Sequence, residues 1–576
     1  MRTPIALYLL ALIARLVVIG HFPDPAYPDS YYYVDVARSL ASGHGFNVDF
    51  VWIFAEVGGR IPANPILPIP SNAHWMPLAS IVQVPFIWLL GPTAFASAVP
   101  FAFIGALAAP LTWAIARDAG SSRVVANGAA VLVALPLMLL VFMVQPDNFS
   151  LYQPLVSGAL WLGARGLRGD ARAFALAGLL VGLATLSRND GVFVGATLGL
   201  AFLWDRWRAW RTGRSERSGA SSDGTARRPL IPLWSAIACA GLFGAVMAPW
   251  IARQLAVFGS ISPSTASGKV LFIRSIEEWN SISTPATFDW LLGQGIGPLI
   301  ESRIGGLIAA VGIFSLLVCG YVLVAPLVIG AWSRRRSVWF GPFFVYAAIL
   351  FAFSTIVSAV HVPGGTFIHS AVALVPHTFI LILEGVAVAV GWLAKRRKAW
   401  DRETATRLFI GTTVVAAGLI AVIVTLGIHT SWTQKRADRA SLATALALVA
   451  DPDARVMSID ASGIEYAAGL GGVVSPNDPI DTVHDVAIAY RTEWLILERD
   501  SIVASLAPVL TGQSRPPWIG SPVLTIAATD GGAPRAALYP ICLSPADARC
   551  SVLASATAST DAANGPGEPS DLEARP

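Results

Sequence analysis

Asp29 is the acidic residue whose surroundings are best suited to chemistry. It opens the segment Asp29-Ser-Tyr-Tyr-Tyr-Val-Asp-Val-Ala-Arg-Ser-Leu40, in which apolar side chains recur at helical spacing. The pattern predicts a short amphipathic helix that begins at an acidic N-cap after Pro28 and lies on the membrane surface. Such a helix would place Asp29 just above the bilayer, where a lipid headgroup sits. The alternative is that Asp29 only caps the helix, while the tyrosines form an interfacial belt.

Four further motifs place ionisable residues at interruptions of apolar sequence, where such groups usually pair or face a polar cavity. His74 precedes Trp75 where the chain re-enters the membrane, a pair that is also typical of an interfacial anchor. Arg188 and Asp190 interrupt a long apolar stretch, and their alternative role is an ion pair that only stabilises a helix break. The other two motifs are Gln145-Pro-Asp-Asn-Phe-Ser150, which contains Asp147, and Pro363-Gly-Gly-Thr-Phe-Ile-His-Ser370, which contains His369.

Lys269 and Arg274 lie in a polar segment, residues 264–290, together with Glu277 and Glu278. Cations in such a segment are suited to hold a phosphate. Ordinary surface charge is the alternative.

The composition assigns these residues to a membrane protein. Of 576 residues, 55% are hydrophobic and 13% are charged, whereas soluble domains carry roughly 25% charged residues. The chain is therefore predicted to be mainly α, a polytopic transmembrane bundle of about 11–13 helices. The candidate apolar runs are 4–22, 77–91, 94–116, 122–145, 149–165, 172–187, 190–205, 231–252, 305–330, 338–360, 368–394 and 408–429.

Three basic clusters set the predicted orientation, because short cytoplasmic loops are enriched in Lys and Arg. Seven arginines fall between Arg206 and Arg228, and the other clusters are 334–336 and 395–398. With these inside, residues 253–304 and 361–367 are outside, and so is everything after about residue 430. With the N-terminus also inside, the loop 23–76 is outside. An odd number of crossings must then lie between residues 77 and 205, where six runs are predicted. One run is therefore re-entrant, or two form one broken helix.

The C-terminal part alternates short strands with short helices and predicts a small extracytoplasmic α/β domain. The predicted organisation is a transmembrane module at 1–430 with a cytoplasmic linker at 206–230, the α/β domain at 431–550 and a disordered tail at 551–576. Cys542 and Cys550 can form a disulfide if this domain lies outside the cytoplasm.

Several chemistries have no support in the sequence. It contains no nucleotide phosphate loop, no paired Cys/His metal spacing and no G-x-S-x-G motif. The net charge of +4 is small. The positive charge is concentrated in local clusters, which indicate membrane topology and do not predict a nucleic-acid partner. No cofactor or metal site is predicted, and a requirement for a divalent cation is left open. An enzyme that works outside, where nucleotides are absent, must take an activated group from a lipid carrier.

Taken in order, the motifs resemble those of the GT-C membrane glycosyltransferases. Within that superfamily they are similar to the bacterial branch related to protein O-mannosyltransferases and lipid A aminoarabinose transferases. The segment Asp29–Phe46 resembles the first-loop motif, which often begins with Asp-Glu and continues with Tyr, Ala-Arg, Leu and Gly-x-Gly-Phe. Supporting matches are His74-Trp-Met-Pro-Leu78, Gly182–Gly191 and the His369-Ser370 loop.

The resemblance implies a GT-C-like, multi-pass enzyme of the cell membrane. It would move a sugar from a polyprenyl-phosphate donor to a lipid, glycan or protein acceptor on the outer face, among membrane lipids. Asp29 matches the family's catalytic base, and Arg188, Lys269 and Arg274 are candidates to stabilise the leaving phosphate. The expected substrate-binding residues are Asp24, Asp35, His74, Asp147, Arg188, Asp190, Lys269, Arg274 and His369.

Ser30 departs from the family motif, because Glu is frequent at this position. This leaves Asp29 as the only base or moves the role to Asp24 or Asp35, although Asp35 lies on a different helix face from Asp29. Two other functions stay open. Arg188 and Asp190 favour a transporter or flippase of a lipid-linked sugar, and the C-terminal domain would serve a non-catalytic assembly protein as a docking surface.

Overall fold

The structure is a computed structural model that describes residues 2–217, 230–264, 268–358, 366–397, 400–544, 547 and 549–550. The predicted disordered tail, residues 218–229 of the linker and the start of the Pro363 motif lie outside the described residues. Within the described residues the chain divides into two compact units. The first contains Met1–Val48, Pro70–Asn280 and Thr284–Lys435, and the second contains Asp49–Ile69, Ser281–Ser283 and Arg436 onward.

The first unit is helical. From the N-terminus its α-helices are α1 (Arg2–His21), α2 (Pro28–Ala41), α3 (Leu78–Ile81), α4 (Val84–Leu90), α5 (Ala94–Ala106), α6 (Ala108–Asp118), α7 (Arg123–Ala134), α8 (Phe149–Leu167), α9 (Ala171–Ser187), α10 (Val192–Arg217) and α11 (Leu233–Phe258). They continue with α12 (Ile276–Trp279), α13 (Phe288–Gly293), α14 (Ile296–Leu317), α15 (Val324–Arg334), α16 (Gly341–Ala352), α17 (Thr366–Ala371), α18 (Val375–Arg396) and α19 (Arg402–Val449). The part of α19 from Arg436 onward belongs to the second unit. Two short strands lie within residues 23–76, β1 (Asn47–Val48) and β3 (Ile69–Pro70).

The helices confirm the predicted fold class of a polytopic helical protein. In the described part of the chain, six helical stretches are long and apolar enough to cross a membrane: Arg2–His21, Ala94–Asp118, Leu233–Phe258, Ile296–Leu317, Phe367–Arg396 and Arg402–Val449. Four shorter apolar stretches are Leu78–Leu90, Arg123–Leu139, Ala171–Ser187 and Gly341–Val357. The short stretches account for several of the runs in the predicted total of about 11–13.

Several of the predicted runs are interrupted, among them 305–330 and 122–145. The run 305–330 is not one helix, because α14 ends at Leu317 and α15 begins at Val324, with Tyr321 between them at a φ of 60°. The run 122–145 loses its α-helical geometry after Ala134 and continues through two 3₁₀ turns to Gln145. The second break matters for function, since it brings Asp147 to the start of α8.

Close backbone packing holds part of the bundle together. A Cβ atom on Gly330 would lie 1.8 Å from the carbonyl oxygen of Leu381, and one on Gly385 would lie 1.8 Å from that of Pro326. Only glycine fits at these two positions, so the axes of α15 and α18 approach closely. Small residues at helix contacts are characteristic of packing inside membranes, where no hydrophobic effect drives helices together.

The second unit is an α/β domain, as predicted. Its strands are β2 (Phe50–Val51), β4 (Arg455–Ser458), β5 (Gly472–Val474), β6 (Thr492–Glu498), β7 (Leu524–Ile526) and β8 (Ala536–Pro540), and its helices are α20 (Ala461–Ala468), α21 (Ile480–Tyr490) and α22 (Ala507–Leu510). The sheet order is β2-β5-β4-β6-β8-β7, in which β2, β5, β4 and β6 are parallel and β8 and β7 are antiparallel. The edge strand β2 comes from residues 23–76, which the sequence assigned wholly to the transmembrane module. Cys542 and Cys550 form the disulfide that the sequence allowed.

A buried ion-pair triad joins the end of α19 to this sheet. The guanidinium of Arg439, 2% exposed, lies 2.7 Å from Oδ2 of Asp460 and 2.7 Å from Oε2 of Glu498. Asp460 also caps α20 by accepting a hydrogen bond from the amide of Gly463. The three side chains therefore connect the C-terminal part of α19, the N-terminus of α20 and the end of β6.

Arg439→Met is expected to destabilise the second unit by about 3–5 kcal/mol, because it leaves two carboxylates buried without their cation. The change in the free energy of unfolding is measured by urea titration of the purified full-length protein, with limited proteolysis reporting the unfolding of the second unit. The matched control is Arg407→Met, which breaks the exposed pair of Arg407 with Glu403 and should cost less than about 1 kcal/mol. Equal effects of the two variants would contradict a structural role for the triad.

Candidate active site

Asp29 projects from the first turn of α2, but it does not cap that helix. The helix begins at Pro28, and the N-cap position is Tyr27. The hydroxyl of Ser30 accepts hydrogen bonds from the amides of Ala26 (3.0 Å) and Tyr27 (3.1 Å) and donates to the carbonyl of Tyr27 (2.7 Å). Ser30 thus takes the capping role that the sequence assigned to Asp29, and the prediction of an acidic N-cap is wrong. The Asp29 carboxylate is left for other contacts.

Two ionisable side chains from distant parts of the chain, Asp147 and His369, lie close to Asp29. Its Oδ2 lies 3.8 Å from Nδ1 of His369, and Nε2 of the same imidazole lies 3.4 Å from Oδ2 of Asp147. The Asp29 side chain is 28% exposed, whereas Asp147 is fully buried. Helix α2, the break before α8 and the short α17 each contribute one member. We call Asp29, Asp147 and His369 the carboxylate–histidine cluster.

Each carboxylate of the cluster is held by an aromatic donor. The indole Nε1 of Trp75 donates to Oδ1 of Asp29 at 3.1 Å, and the Tyr27 hydroxyl donates to Oδ2 of Asp147 at 2.9 Å. The backbone amide of Asn148 donates to the other oxygen of Asp147 at 2.5 Å. Both carboxylates therefore have fixed orientations.

An ion pair of Arg188 with Asp190 lies near the cluster, and the charge of Arg188 acts on Asp29 and Asp147. Nε of Arg188 lies 3.1 Å from Oδ1 of Asp190, and both side chains are less than one-fifth exposed. The hydroxyl of Ser370, the residue after His369, donates to Oδ2 of Asp190. The predicted Arg188–Asp190 pair therefore forms, and Ser370 connects it to the helix that carries His369.

Burial and mutual repulsion disfavour the charged forms of the two carboxyl groups. Burial raises the pKa of Asp29, and the negative charge of Asp147 raises it further, while His369, the Trp75 hydrogen bond and Arg188 oppose the increase. Burial likewise raises the pKa of Asp147, against the hydrogen bonds from Asn148 and Tyr27 and the charge of Arg188. A carboxylate with a raised pKa accepts a proton more readily than a free one, which suits a general base.

His74 is a partly buried imidazole on which the charge of Arg188 acts. Burial, with the positive charge of Arg188 as a second cause, lowers its pKa to about 4. Its Nδ1 lies 2.8 Å from the hydroxyl of Ser264, and its carbonyl accepts a hydrogen bond from the side chain of Asn189 at 3.4 Å. His74 therefore connects the segment before α3 to the segment that carries Arg188.

The other predicted cations have partners in their own segment. Nζ of Lys269 donates to the carbonyl of Trp279 at 3.4 Å, and the Trp279 ring lies 5.5 Å from that of His74. Arg274 forms an ion pair with Glu278 at 2.6 Å. The charges that act most on Asp29 are those of Asp147, His369 and Arg188, so Arg188 is the cation that the fold brings to the cluster.

The remaining predicted carboxylates occupy different positions. The carbonyl of Asp24 accepts a hydrogen bond from Gln145 at 3.2 Å in the turn before α2. Asp35 is buried one and a half turns beyond Asp29 on α2, consistent with the expected difference in helix face. Tyr27 is a site residue that the sequence did not indicate, since its contact with Asp147 joins positions 120 residues apart.

The cluster can also hold a metal ion. Asp29, Asp147 and His369 each offer one ligand atom, and these atoms all lie within 4.8 Å of one another. Two carboxylate oxygens and one imidazole nitrogen suit several divalent cations. Dependence of activity on a divalent cation is therefore an experimental question at this site.

Comparison with known proteins agrees with the motif order. A family model described as dolichyl-phosphate-mannose-protein mannosyltransferase matches residues 74–215. That span contains four of the predicted site residues: His74, Asp147, Arg188 and Asp190. No curated protein matches the sequence.

Among solved structures, the chain is similar to ArnT from Cupriavidus metallidurans bound to undecaprenyl phosphate. The two share 13% sequence identity with a TM-score of 0.52, over 93% of this chain and 97% of ArnT. The apo form of ArnT gives a TM-score of 0.50 at 13% identity, over 94% of this chain and 98% of that one. The archaeal oligosaccharyltransferase AglB from Archaeoglobus fulgidus gives 0.46 at 12% identity, over 85% and 69% of the two chains. The chain therefore has the GT-C fold, and the resemblance drawn from its motifs is confirmed at the level of fold.

Proposed function

We propose that the chain is a membrane glycosyltransferase that moves a sugar from a polyprenyl-phosphate donor to an acceptor hydroxyl on the outer face of the membrane. The observation that carries the proposal is the carboxylate–histidine cluster with Arg188 beside it, within a fold similar to that of ArnT. A base and a cation are the two groups that such a transfer needs. The ArnT structure bound to undecaprenyl phosphate supports the class of donor.

In the proposed reaction, Asp29 acts as the general base. As the acceptor oxygen attacks the anomeric carbon, its proton passes to the Asp29 carboxylate and its electron pair forms the new glycosidic bond. The bond between the anomeric carbon and the phosphate oxygen breaks, and its electron pair leaves with the polyprenyl phosphate. Arg188 stabilises the negative charge that develops on that phosphate.

Asp29 suits the role of base better than Asp147 does. The Asp29 side chain is 28% exposed, so an acceptor can reach it, whereas Asp147 is fully buried. Both oxygens of Asp147 already accept hydrogen bonds, from Tyr27 and from the amide of Asn148. Asp147 instead contributes negative charge, which keeps Asp29 basic.

The proposal is tested with the purified full-length protein in lipid nanodiscs. Polyprenyl-phosphate-linked hexoses and pentoses serve as donors, with lipid, glycan and protein acceptors, and release of polyprenyl phosphate coupled to a glycosylated acceptor is the expected result. Parallel reactions with EDTA and with added divalent cations test the metal option at the cluster. Movement of the lipid-linked sugar between leaflets without transfer would favour the flippase alternative, and release of phosphate without acceptor modification would contradict transfer.

The proposal places the second unit outside the cytoplasm, where the disulfide between Cys542 and Cys550 would be stable. In intact cells, a membrane-impermeant reductant followed by a maleimide reagent is therefore expected to label these two cysteines. The matched control is Arg208→Cys, in the basic cluster assigned to the cytoplasm, which should be labelled only after permeabilisation. The reverse pattern would contradict the orientation.

A further inference from the structure

The hydrogen bond from Trp75 to Asp29 distinguishes the two oxygens of the proposed base. We propose that Trp75 is a positioning residue, whose indole N–H holds Oδ1 of Asp29 so that Oδ2 receives the proton of the acceptor hydroxyl. The inference rests on the proposed function. Its basis is that Oδ1 accepts the indole hydrogen bond at 3.1 Å, while Oδ2 is the oxygen that faces His369 at 3.8 Å.

The Trp75 ring is fixed against the helix that carries Asp29. It packs on the Tyr32 ring with centroids 4.3 Å apart, and the side chain is 8% exposed. Tyr32 follows Asp29 by three residues, so the two side chains lie on neighbouring positions of one face of α2. The indole therefore contacts α2 at two positions, because its ring packs on Tyr32 and its N–H group donates to Asp29.

Asn72 fixes the backbone at Trp75 through hydrogen bonds. Its side-chain amide donates to the carbonyl of Trp75 at 3.1 Å, and its own backbone amide donates to the Tyr32 hydroxyl at 2.7 Å. Asn72 is fully buried and has a φ of 64°, a left-handed conformation that asparagine tolerates better than most residues. These contacts make a short bridge from α2 to the Asn72–Trp75 segment.

Helix α11 holds the same segment from the other side. Arg253 donates to the carbonyl of Ser71 at 2.8 Å, and Gln254 donates to the carbonyl of Asn72 at 2.9 Å. The guanidinium of Arg253 also lies 5.1 Å from the Trp250 ring centre, which fixes its direction. Trp75 is thus held between two helices, and this is the rigid support that a precise catalytic geometry requires.

The chemical consequence follows from how a carboxylate rotates. Without a donor on Oδ1, the Asp29 carboxylate can turn about its Cβ–Cγ bond, and the direction of its basic lone pairs is lost. A hydrogen bond to a charged group is strong enough to prevent this. Losing it should therefore slow the chemical step and leave substrate binding intact.

Trp75→Phe tests the inference, because it keeps an aromatic ring and removes the N–H donor. In the transfer assay kcat is expected to fall by about ten- to a hundredfold with KM for donor and acceptor unchanged. The matched control is Trp161→Phe, since the indole of Trp161 donates to Oδ2 of Asp118 at the same distance, 3.1 Å, at another position in the bundle. That variant should keep the wild-type kcat.

The effect of Trp75→Phe in a chain that already carries Asp29→Glu distinguishes positioning of Asp29 from a general packing effect. In a chain that carries Asp29→Glu, the carboxylate is displaced by one methylene, so Trp75→Phe should lower kcat by less than about twofold. If Trp75→Phe does not accumulate, Tyr32→Phe serves in its place, because it frees the Asn72–Trp75 segment without changing Trp75. It should lower kcat with KM unchanged.

Three results would overturn the inference. They are a kcat for Trp75→Phe equal to that of Trp161→Phe, an undiminished effect in the Asp29→Glu background, and a wild-type kcat for Tyr32→Phe where that variant is needed. In each of these cases the unmodified chain still transfers sugar, so the proposed function survives. Absence of transfer by the unmodified chain would overturn both.

Discussion

Asp29→Asn is expected to lower kcat for sugar transfer by at least about 10²–10⁴-fold, because a positioned general base contributes that much. The amide has nearly the shape of the carboxylate, and its oxygen can still accept the hydrogen bond from Trp75. It cannot accept a proton. The loss should therefore appear in kcat, with little change in KM for the lipid-linked donor.

Asp118→Asn is the matched control for this variant. Asp118 is also a partly buried carboxylate that accepts an indole hydrogen bond, from Trp161, so its removal perturbs the bundle in a similar way. Its kcat should stay within about twofold of wild type, since Asp118 is not part of the carboxylate–histidine cluster. Asp24→Asn and Asp35→Asn test the alternative bases. Normal transfer by Asp29→Asn together with loss in either of these would show that the base is assigned to the wrong residue.

The elements of the site were predictable because their signals are local. The helix predicted from Asp29 to Leu40 is observed at Pro28–Ala41, since its apolar spacing lies within a dozen residues. The pairing of Arg188 with Asp190 was also indicated by proximity in the chain. Charged residues within apolar sequence need a partner, and the nearest one was available.

The constellation itself was not predictable, because it depends on long-range packing. Nothing near Asp147 in the sequence indicates that its partners are Tyr27 and His369. The helix cap was assigned wrongly because Asp and Ser are both good capping residues, and only the folded turn shows that the hydroxyl of Ser30 makes the bonds. The strand β2 escaped detection for another reason. It has two residues, Phe50 and Val51, which is too few for an alternating pattern to appear.

The pairing of Arg188 with Asp190 fits both a structural and a catalytic role of the arginine. A structural pair would only stabilise the break between α9 and α10. A catalytic cation would act on the leaving phosphate as well, and its charge already bears on Asp29, Asp147 and His74. The two roles predict different behaviour when both charges are removed together.

Arg188→Gln is expected to lower kcat by about 10²–10³-fold, because it removes a preorganised charge from the developing phosphate. Arg188→Lys should recover part of this loss, since lysine keeps the charge but not the planar array of donors. The matched control is Arg165→Gln, which removes an arginine paired with Asp118 and Asp170. It should leave kcat near the wild-type value.

The decisive variant combines Arg188→Gln with Asp190→Asn. If the pair only stabilises the helix break, neutralising both partners removes the unpaired buried charge and restores much of the stability and the activity. If Arg188 stabilises the leaving phosphate, the double variant regains thermal stability in detergent while kcat stays as low as in Arg188→Gln alone. Recovery of kcat together with stability would assign Arg188 to the helix break and leave Lys269 and Arg274 as the candidate cations for the phosphate.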